Sequence, residues 1–374
     1  MAILYKKIYN EIYNQIAQGY YHIGDKIPSE KEISDSYSVS RITSKRVLDE
    51  LEKEGIVNRV RGKGSFLIKN IEGASVFDSN QKDRGSIAII FPTSHDFGSF
   101  AATLEGCTKV ITEKGYKPNL YFRFSNLAEV EELLESLLED NIQGVIYYPY
   151  SLLDSYEILN NYLFNHVPIV TVDKYYSGIE IKSVCSDNFK SGKIATDYLI
   201  KLGHKKIGFL SDVSLEGISS IRDRYYGYCE ALKENNLPYD KKCICIDRVD
   251  TEFMRHYDEQ HYITELKNLY DSGITALIAI NDIVASYVFR VAKILNIRIP
   301  EDLSVIGFDG IPFSEFQEIP LTTVLQDFNK MGEDAANLVI DEINGIHRTS
   351  IKDLPVYLVE RSSCSIPYTQ RTSR

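Results

Sequence analysis

The stretch VSRITSKRVLDELEKEGIV, residues 39–57, decides the fold of the first part of this chain. Ser40 stands at a helix N-cap position, and Val47, Leu48 and Leu51 follow at helical spacing. Gly55 marks the point where such a helix ends. The stretch therefore predicts a helix that buries one apolar face and leaves the opposite face to solvent.

The segment before this helix predicts two more helices. Ser29 and Glu32 form a capping-box pattern, which starts a short helix over about residues 30–37. Apolar residues recur at helical spacing over residues 4–16, which predicts a further helix at the start of the chain.

The segment after the helix predicts a hairpin. Residues 56–60 and 65–68 are apolar-rich, and the turn Arg61-Gly-Lys-Gly joins them. Three helices followed by a glycine-tipped hairpin are typical of a winged helix-turn-helix, an α+β domain over residues 1–69 that binds DNA.

Charge is distributed unevenly along the chain. The first 70 residues carry 12 Lys and Arg against 9 Asp and Glu, a net charge of +3, whereas the whole chain carries −11. Attraction to DNA phosphates is therefore expected only of the first domain. The N-terminal turns of the helix after Ser40 would enter the major groove, and the hairpin turn would approach the backbone. The side chains expected to reach DNA are Ser40, Arg41, Thr43, Lys45, Arg46, Arg61 and Lys63.

These residues allow two other interpretations. A solvated charged face on an ordinary three-helix domain would show the same periodicity. Gly62-Lys63-Gly64 also resembles part of a phosphate-binding loop, but it lacks a third glycine and opens no helix.

From residue 86 onward, short apolar strands alternate with amphipathic helices. Residues 70–85 are polar and lack any period, so we interpret them as a linker. The predicted strands cover residues 87–91, 119–122, 144–148, 169–172, 184–186, 206–210, 243–246, 276–280, 304–308 and 356–359. Such alternation is typical of parallel, doubly wound sheets, and ten strands favour two sheets over one. Residues 86–374 therefore predict a two-lobed α/β domain.

Composition excludes several other classes of protein. No run of 18 apolar residues predicts a membrane span, and the charged first ten residues do not fit a signal peptide. Six scattered cysteines are typical of a reducing compartment. We therefore expect a cytoplasmic protein with no membrane partner.

The sequence predicts no catalytic residue, metal or cofactor. It contains no nucleotide-binding loop, nucleophile elbow or evident acid–base pair. Cys243 and Cys245 are predicted to share the face of one strand, and without a second pair nearby they indicate burial rather than zinc.

The first domain resembles the DNA-binding domain of the GntR family. The resemblance lies in KIPSEKEIS (26–34), the stretch 39–57 and RGKGSFL (61–67). It implies operator contacts from Ser29, Lys31, Ser40, Arg41, Thr43, Lys45 and the wing around Lys63 and Gly64. Lys45 departs from the family pattern, which has arginine there, and lysine cannot make the same two-pronged contact with guanine.

The second domain resembles the ligand-binding core of LacI-type regulators and periplasmic sugar-binding proteins. The motifs that carry the resemblance include SDN (186–188), LGHKKIGFL (202–210), AIND (279–282), IPEDLSVIGFD (299–309) and LTTVLQ (321–326). It implies an N-lobe of residues 86–188 and 327–355, and a C-lobe of residues 189–326 and 356–374. The ligand would lie between the lobes, at the carboxyl ends of the strands. A GntR-type head on such a body resembles the arabinose-repressor subfamily.

Polar residues that end predicted strands form the candidate effector site. Asp173, Asn281 and Asp309 each follow a strand directly, and such groups can chelate neighbouring hydroxyls of a polyol. The resemblance implies ligand contacts from Asp173, Arg224, Asn281, Asp309 and Gln326. Residues assigned only by their position after a strand, as a polar group or an apolar platform, are Asp96, Phe97, Phe100 and Tyr150.

Structural roles remain open for the same residues. A carboxylate that ends a strand is often a helix cap or turn residue, and phenylalanines near it are often core or interface residues. Arg224 has the alternative of a structural ion pair with Asp223 or Asp282.

Together these features predict a sequence-specific repressor of sugar-utilisation genes. Its expected partners are operator DNA, a second copy of the chain and a small sugar, with an arabinose-like pentose as first choice. The alternative is a corepressor-type regulator that binds DNA more tightly with a nucleobase or phosphosugar. A transport component would lack the DNA-binding domain, and a sugar-modifying enzyme would need a catalytic pair in the cleft.

Overall fold

The computed structural model divides the chain into two compact units, Met1–Lys82 and Asp83–Arg374. The division falls within the stretch interpreted as a linker, of which residues 70–83 lie outside the described part. The structure describes residues 8–9, 12–13, 15–16, 20–37, 39–60, 63–69, 84–91, 97–122, 124, 126–140, 142–149, 156–246 and 258–368.

The first unit packs helices against a three-stranded antiparallel sheet. Its described elements are β1 (Lys26–Ile27), α1 (Glu30–Tyr37), α2 (Arg41–Lys53), β2 (Val57–Val60) and β3 (Gly64–Leu67). The strand order is β1-β3-β2. The core comprises Ile8, Ile12, Ile16, Ile27, Ile33, Val47, Leu48, Leu51, Ile56, Val57 and Leu67. This arrangement confirms the predicted winged helix-turn-helix.

Local signals in the sequence set the ends of α1 and α2. The backbone N–H of Ser29 donates to Glu32 Oε2 (2.7 Å), and the backbone N–H of Glu32 donates to Ser29 Oγ (3.3 Å). Ser40 Oγ accepts the backbone N–H of Thr43 (3.3 Å). Gly55 follows α2 with a φ of +68°, a conformation that favours glycine. The capping box and the helix stop are therefore as predicted.

The second unit contains two lobes, each built on a six-stranded sheet. The first sheet has the order β14-β8-β7-β6-β4-β5, with every neighbouring pair parallel. Its strands are β4 (Ser86–Phe91), β5 (Lys117–Phe122), β6 (Ile142–Tyr147), β7 (Ile169–Val172), β8 (Lys182–Ser186) and β14 (Ile351–Leu354). Its helices are α3 (Phe97–Glu113), α4 (Leu127–Glu139), α5 (Tyr156–Phe164) and α10 (Phe328–Ile343).

The second sheet has the order β10-β9-β11-β12-β13-β15. Its strands are β9 (Ile207–Ser211), β10 (Ile244–Ile246), β11 (Ala276–Ala279), β12 (Ser304–Asp309), β13 (Thr322–Gln326) and β15 (Val356–Val359). Its helices are α6 (Asn188–Lys201), α7 (Ser219–Glu234), α8 (Glu259–Asp271) and α9 (Asp282–Ile294). The buried residues of this sheet and its helices form one continuous apolar core.

The chain crosses between the lobes after β8, after β13 and after β14. The backbone N–H of Asp187 donates to the carbonyl of Leu354 (3.1 Å), so two of the crossings touch. β14 ends where the chain crosses between the lobes and leads directly into β15. The chain therefore enters the second sheet at the edge where the neighbouring strand β13 ends. β15 is therefore antiparallel to β13, unlike the parallel strands predicted.

Close packing of α6 against α7 depends on glycine. A Cβ on Gly192 would lie 1.9 Å from the carbonyl oxygen of Arg224, and one on Gly227 would lie 2.0 Å from that of Phe189. Neither position has room for a side chain, so the two helices approach backbone to backbone. This contact fixes the backbone from which the Arg224 side chain extends.

No described helix is both long and apolar enough to cross a bilayer. In the same residues, no three His, Cys, Asp or Glu side chains come together as a metal site would require. Cys243 ends a 3-10 turn over Lys241–Cys243, whereas Cys245 lies in β10. The prediction that the two cysteines share the face of one strand is therefore wrong.

Candidate nucleic-acid interface and effector cleft

The exposed face at the start of α2 carries uncompensated positive charge. Arg41 and Lys45 lie one helical turn apart and are both exposed. They form no ion pair within the described part of the chain, and neither do the exposed Lys31 and Lys63. Arg46 is also exposed on α2. Arg41 and Lys45 can therefore contact phosphates or bases without breaking an internal ion pair.

Three of the predicted DNA contacts are engaged in helix caps. Ser29 caps α1, as described above. Ser40 caps α2, and its Oγ also lies 3.0 Å from the Oγ1 of Thr43. These hydroxyls have a structural role in the protein, and their contact with DNA stays a prediction.

Arg59 belongs to the same domain, but its positive charge is neutralised by acidic side chains. It lies on β2 and pairs with Glu30 of α1 and Asp49 of α2, while its backbone N–H donates to Glu52 Oε1 (3.2 Å). The side chain ties the wing to both helices. Sequence reasoning did not single out this residue, because its partners come from two helices that only the fold brings to it.

The wing turn has a second cation beside it. Gly64 has a φ of +124°, and a Cβ there would lie 2.5 Å from Cε of Lys26. The Lys26 side chain from β1 therefore packs against the turn, next to the exposed Lys63. Lys26 was not among the predicted contacts, and Arg61 lies outside the described residues.

Arg224 forms the centre of a buried polar cluster at the carboxyl ends of β11, β12 and β13, where the effector cleft was predicted. Its Nε donates to Asn188 Oδ1 (2.9 Å), its Nη1 to the carbonyl of Ile280 (2.5 Å) and its Nη2 to Asp309 Oδ1 (2.9 Å). Only 4% of the residue is exposed, and the guanidinium lies 4.8 Å from the ring centre of Phe308. The ion pair is with Asp309, rather than with the Asp223 or Asp282 considered from sequence.

Asp309 links Arg224 to Gln326. Gln326 Nε2 donates to Asp309 Oδ1 (2.6 Å), whereas Gln326 Oε1 is buried with no hydrogen-bond partner. Asp309 itself has a φ of +99°, so it is also a turn residue. A buried acceptor without a donor is rare and costly in proteins. It marks a place where a ligand hydroxyl would be stabilised once the cleft admits one.

A buried acid lies beneath Asp309. Asp282 Oδ1 accepts the hydroxyl of Thr323 (2.6 Å), and its Oδ2 accepts the backbone N–H of Ile311 (3.0 Å). Burial and the nearby charge of Asp309 raise the pKa of Asp282 to about 8. Asp282 therefore supports the loop after β12 largely as a protonated acid at neutral pH.

The opposite wall carries a second buried ion pair. Lys174 Nζ lies 3.2 Å from Asp173 Oδ2 and 3.7 Å from the ring centre of Tyr148, whose hydroxyl donates to the same oxygen (3.2 Å). Asp173 has a φ of +67°. Burial lowers the pKa of Lys174, and the charge of Asp173 opposes that effect.

The two walls are joined by contacts at the edge of the cleft. The backbone N–H of Tyr175 donates to Ser219 Oγ (2.9 Å), and its hydroxyl donates to Asp223 Oδ2 (2.9 Å). Arg222 Nη2 donates to the same hydroxyl (2.9 Å). These bonds join the segment after β7 to α7 of the other lobe.

The remaining predicted effector residues occupy different positions. Phe100 packs edge-on against Phe91 (4.9 Å between ring centres), and Tyr148 stacks on the same ring (5.4 Å). Asn281 caps α9, since its Oδ1 accepts the backbone N–H of Val284 (2.8 Å). Phe97 begins α3. Asp96 and Tyr150 lie outside the described residues.

Family profiles match both units. The profile of the bacterial regulatory proteins of the gntR family matches residues 4–67, and that of the periplasmic binding protein-like domain matches residues 196–364. The chain joins a GntR-family domain to a periplasmic binding protein-like domain. The GntR-family domain contains the exposed cations of α2, and the binding protein-like domain contains the Arg224 cluster.

Individual relatives span both domains. The chain is 28% identical over 380 residues to the arabinose metabolism transcriptional repressor of Geobacillus stearothermophilus, covering 97% of this chain and 98% of the relative. A LacI family regulator from Enterococcus faecium with bound ribose has a TM-score of 0.63 and 24% identity, over 75% of this chain and 99% of that one. The CelR–cellobiose complex has a TM-score of 0.65 and 22% identity, over 87% and 91%. The two structures establish the fold of the binding protein-like domain.

Sequence reasoning missed three residues of the cleft in this domain. Lys174 and Tyr148 form the wall with Asp173, and Asn188 orients Arg224. Lys174 directly follows a strand-ending carboxylate, which is a signal that was available. Asn188 follows Asp187, which caps α6, and no local pattern in the sequence indicates that its side chain would reach Arg224.

Proposed function

We propose that this protein is a DNA-binding transcriptional repressor of sugar-utilisation genes, and that a small uncharged sugar releases it from its operator. The observation that carries the proposal is the buried cluster of Arg224, Asp309 and Gln326 in a chain that begins with a GntR-family domain. The cluster lies beside segments where the chain crosses between the lobes, so a ligand bound there would contact both lobes. The DNA-binding half of the proposal rests on the exposed cations of α2.

The charges in the cleft favour a neutral ligand. The two buried cations in the described part of the cleft are already paired, Arg224 with Asp309 and Lys174 with Asp173. A bound phosphate would therefore be repelled by two carboxylates, and both buried cations would already be paired. The carboxylates and Gln326 Oε1 instead offer acceptors to hydroxyl donors. A polyol satisfies this site, whereas a sugar phosphate does not.

An arabinose-like pentose is the first candidate among such ligands. The relative from Geobacillus stearothermophilus is named for arabinose metabolism, and the Enterococcus faecium regulator holds ribose. The aromatic rings of Tyr148 and Phe100, both half-buried, provide apolar surface for a sugar ring.

Release from DNA follows from a difference in affinity. The sugar must bind the DNA-free form better than the DNA-bound form, and a coupling of about 1–3 kcal/mol changes operator affinity about 5–150-fold. The crossings after β8, β13 and β14 are the positions at which the lobes would rotate. A rotation there changes the spacing of two DNA-binding domains in a dimer.

The dimer is proposed from an apolar surface on the second lobe. A groove beside α9 includes Phe289, Ile297, Ile319 and Phe313, which is 59% exposed. Phe316, 80% exposed, donates its backbone N–H to the carbonyl of Phe313 (3.2 Å). Exposed aromatic patches of this kind mark interfaces, and a second copy of the same surface would cover it with two-fold symmetry.

A charge placed on this surface tests the dimer. Phe316→Glu should convert the dimer to a monomer in analytical ultracentrifugation. Phe164→Glu, at an equally exposed phenylalanine on the first lobe, should leave the dimer intact. A monomeric wild-type chain would contradict the proposal.

We also propose that the protein turns over no substrate and acts in the cytoplasm. The relatives described above are named as regulators rather than enzymes, and the proposed partner is operator DNA. Incubation of the purified protein with a bound sugar should leave that sugar chemically unchanged.

Competition between sugar and DNA tests the central proposal. A labelled duplex, enriched by the full chain from a randomised library, is followed by fluorescence anisotropy during titration with L-arabinose, D-ribose and their 5-phosphates. An uncharged sugar should release the duplex, and Asp309→Asn should keep duplex affinity while losing that release. Tighter binding with a ligand would instead assign the corepressor function, and no effect of any sugar would overturn the proposal.

A further inference from the structure

Ile42, the second residue of α2, is an apolar residue on the surface of the domain. It is 82% exposed, although it lies beside buried residues of the same helix. Its neighbours on this face are Lys45 and Arg46, since residues three and four positions apart lie side by side on a helix. An apolar side chain thus lies beside two cations on the surface proposed to enter the major groove.

The side chain adds nothing evident to the folded domain. Isoleucine is a weaker helix former than the straight-chain polar residues usually found on exposed helix faces. It has no donor or acceptor, so it cannot contact a phosphate or a polar base edge. Within the major groove, the apolar group that distinguishes one base from the others is the 5-methyl group of thymine.

We propose that Ile42 contacts a thymine 5-methyl group in each half of the operator and thereby selects thymine at that position. The cations around it would hold the helix against the DNA backbone, and the Ile42 side chain would lose its water against the methyl group. This inference rests on the proposed function, because it requires α2 to lie in the major groove. It also gives the chain a base preference that does not depend on Lys45.

Removal of the methyl group from DNA tests the contact. Duplexes recovered by the full wild-type chain from a randomised 40-base-pair library are resynthesised with single thymines replaced by deoxyuridine. At one thymine per half-site, wild-type affinity should fall about fourfold, the value expected for one buried methyl group. Ile42→Ala should bind the thymine duplex more weakly and should show less than about a twofold loss at that deoxyuridine.

A second exposed isoleucine provides the control. Ile23 lies in the turn before β1, outside α2 in the sequence, and is 61% exposed. Ile23→Ala should retain the wild-type response to deoxyuridine, and Ile42→Val should lose only part of it. Circular dichroism of the variants should match the wild type, because neither side chain belongs to the core.

The outcomes distinguish a failure of the Ile42 contact from a failure of DNA binding itself. Enriched duplexes that tolerate deoxyuridine at every thymine would overturn this inference and leave DNA binding intact. An equal deoxyuridine effect in Ile42→Ala and in the wild type would also overturn it. A library from which the full chain enriches no duplex would overturn the proposed function together with the inference.

Discussion

Arg41 and Arg224 carry the same guanidinium group in opposite environments. Arg41 is exposed at the start of α2 and has no ion-pair partner among the described residues. Arg224 is buried and donates to a side-chain amide, a backbone carbonyl and a carboxylate. The first can bind a new anion, whereas the second already uses three of its five N–H donors within the protein and is paired with Asp309. The proposed function requires this difference, because DNA needs an unpaired cationic surface and an uncharged ligand does not.

The largest expected effect is the loss of the buried arginine. Arg224→Met removes the positive partner of Asp309 and leaves that carboxylate buried beside Gln326. Breaking a buried pair in this way should lower the free energy of unfolding by about 3–5 kcal/mol. Urea denaturation of the full chain would measure the change.

Arg41→Met is the matched control for this variant. The same substitution at an exposed arginine without an ion pair should change stability by less than about 0.5 kcal/mol. Equal stability of the two variants would contradict the contrast between the two regions.

The part of the molecule where Arg41 lies was the easier to predict. The caps at Ser29 and Ser40 and the stop at Gly55 depend on residues a few positions apart, and each is present as the sequence indicated. The helices and strands of the first unit could therefore be predicted almost one by one. Arg59 is an exception, because its partners Glu30 and Asp49 are brought together only by the fold.

The cleft was harder to predict for the same reason. Arg224 lies 36 residues from Asn188 and 85 from Asp309, so no local pattern reveals which carboxylate pairs with it. The resemblance placed Arg224, Asp309 and Gln326 in one site, and the structure brings these three together. Nothing in the sequence indicated that Lys174 would rest on the ring of Tyr148.

Protonation of Asp282 gives the next largest effect. Its pKa is about 8 in the folded protein, above the ordinary value of 3.8, so the folded state holds a proton that the unfolded chain releases. This contribution to stability is complete below pH 4 and is lost as the pH rises towards 8. The slope approaches about 1.4 kcal/mol per pH unit for one proton.

Asp282→Asn isolates this contribution from other titrating groups. The asparagine amide can bond to Thr323 as the protonated acid does, without a proton to lose. Thermal unfolding from pH 5 to 8 should therefore show a smaller decline for Asp282→Asn than for the wild type. Parallel curves would show that Asp282 is already ionised at neutral pH.

The third effect concerns DNA rather than stability. Arg41→Met should weaken binding of an enriched duplex by about 1–3 kcal/mol, the range for loss of one specific arginine contact. Sugar binding by the same variant should be unchanged, because the effector cleft lies in the other unit. Fluorescence anisotropy with the duplex measures DNA binding, and a thermal shift with the sugar measures sugar binding. Loss of both would contradict separate sites.

The smallest effect is expected at the wing. Lys63 is exposed and lies in the turn before β3, where it can neutralise one phosphate. Lys63→Ala should weaken all duplexes by a similar few-fold factor and reduce the slope of log affinity against log salt by about 1. A loss confined to one sequence would instead indicate that Lys63 reads a base.

A thermal-shift comparison of uncharged sugars with their phosphates tests the central claim most directly. At about 100 times its dissociation constant, a ligand stabilises the protein by about 2.7 kcal/mol, which corresponds to a rise of several degrees. At least one pentose or hexose should produce this rise in the full chain, and its phosphate should not. Stabilisation by sugar phosphates or purines alone would contradict a cleft whose cations are already paired.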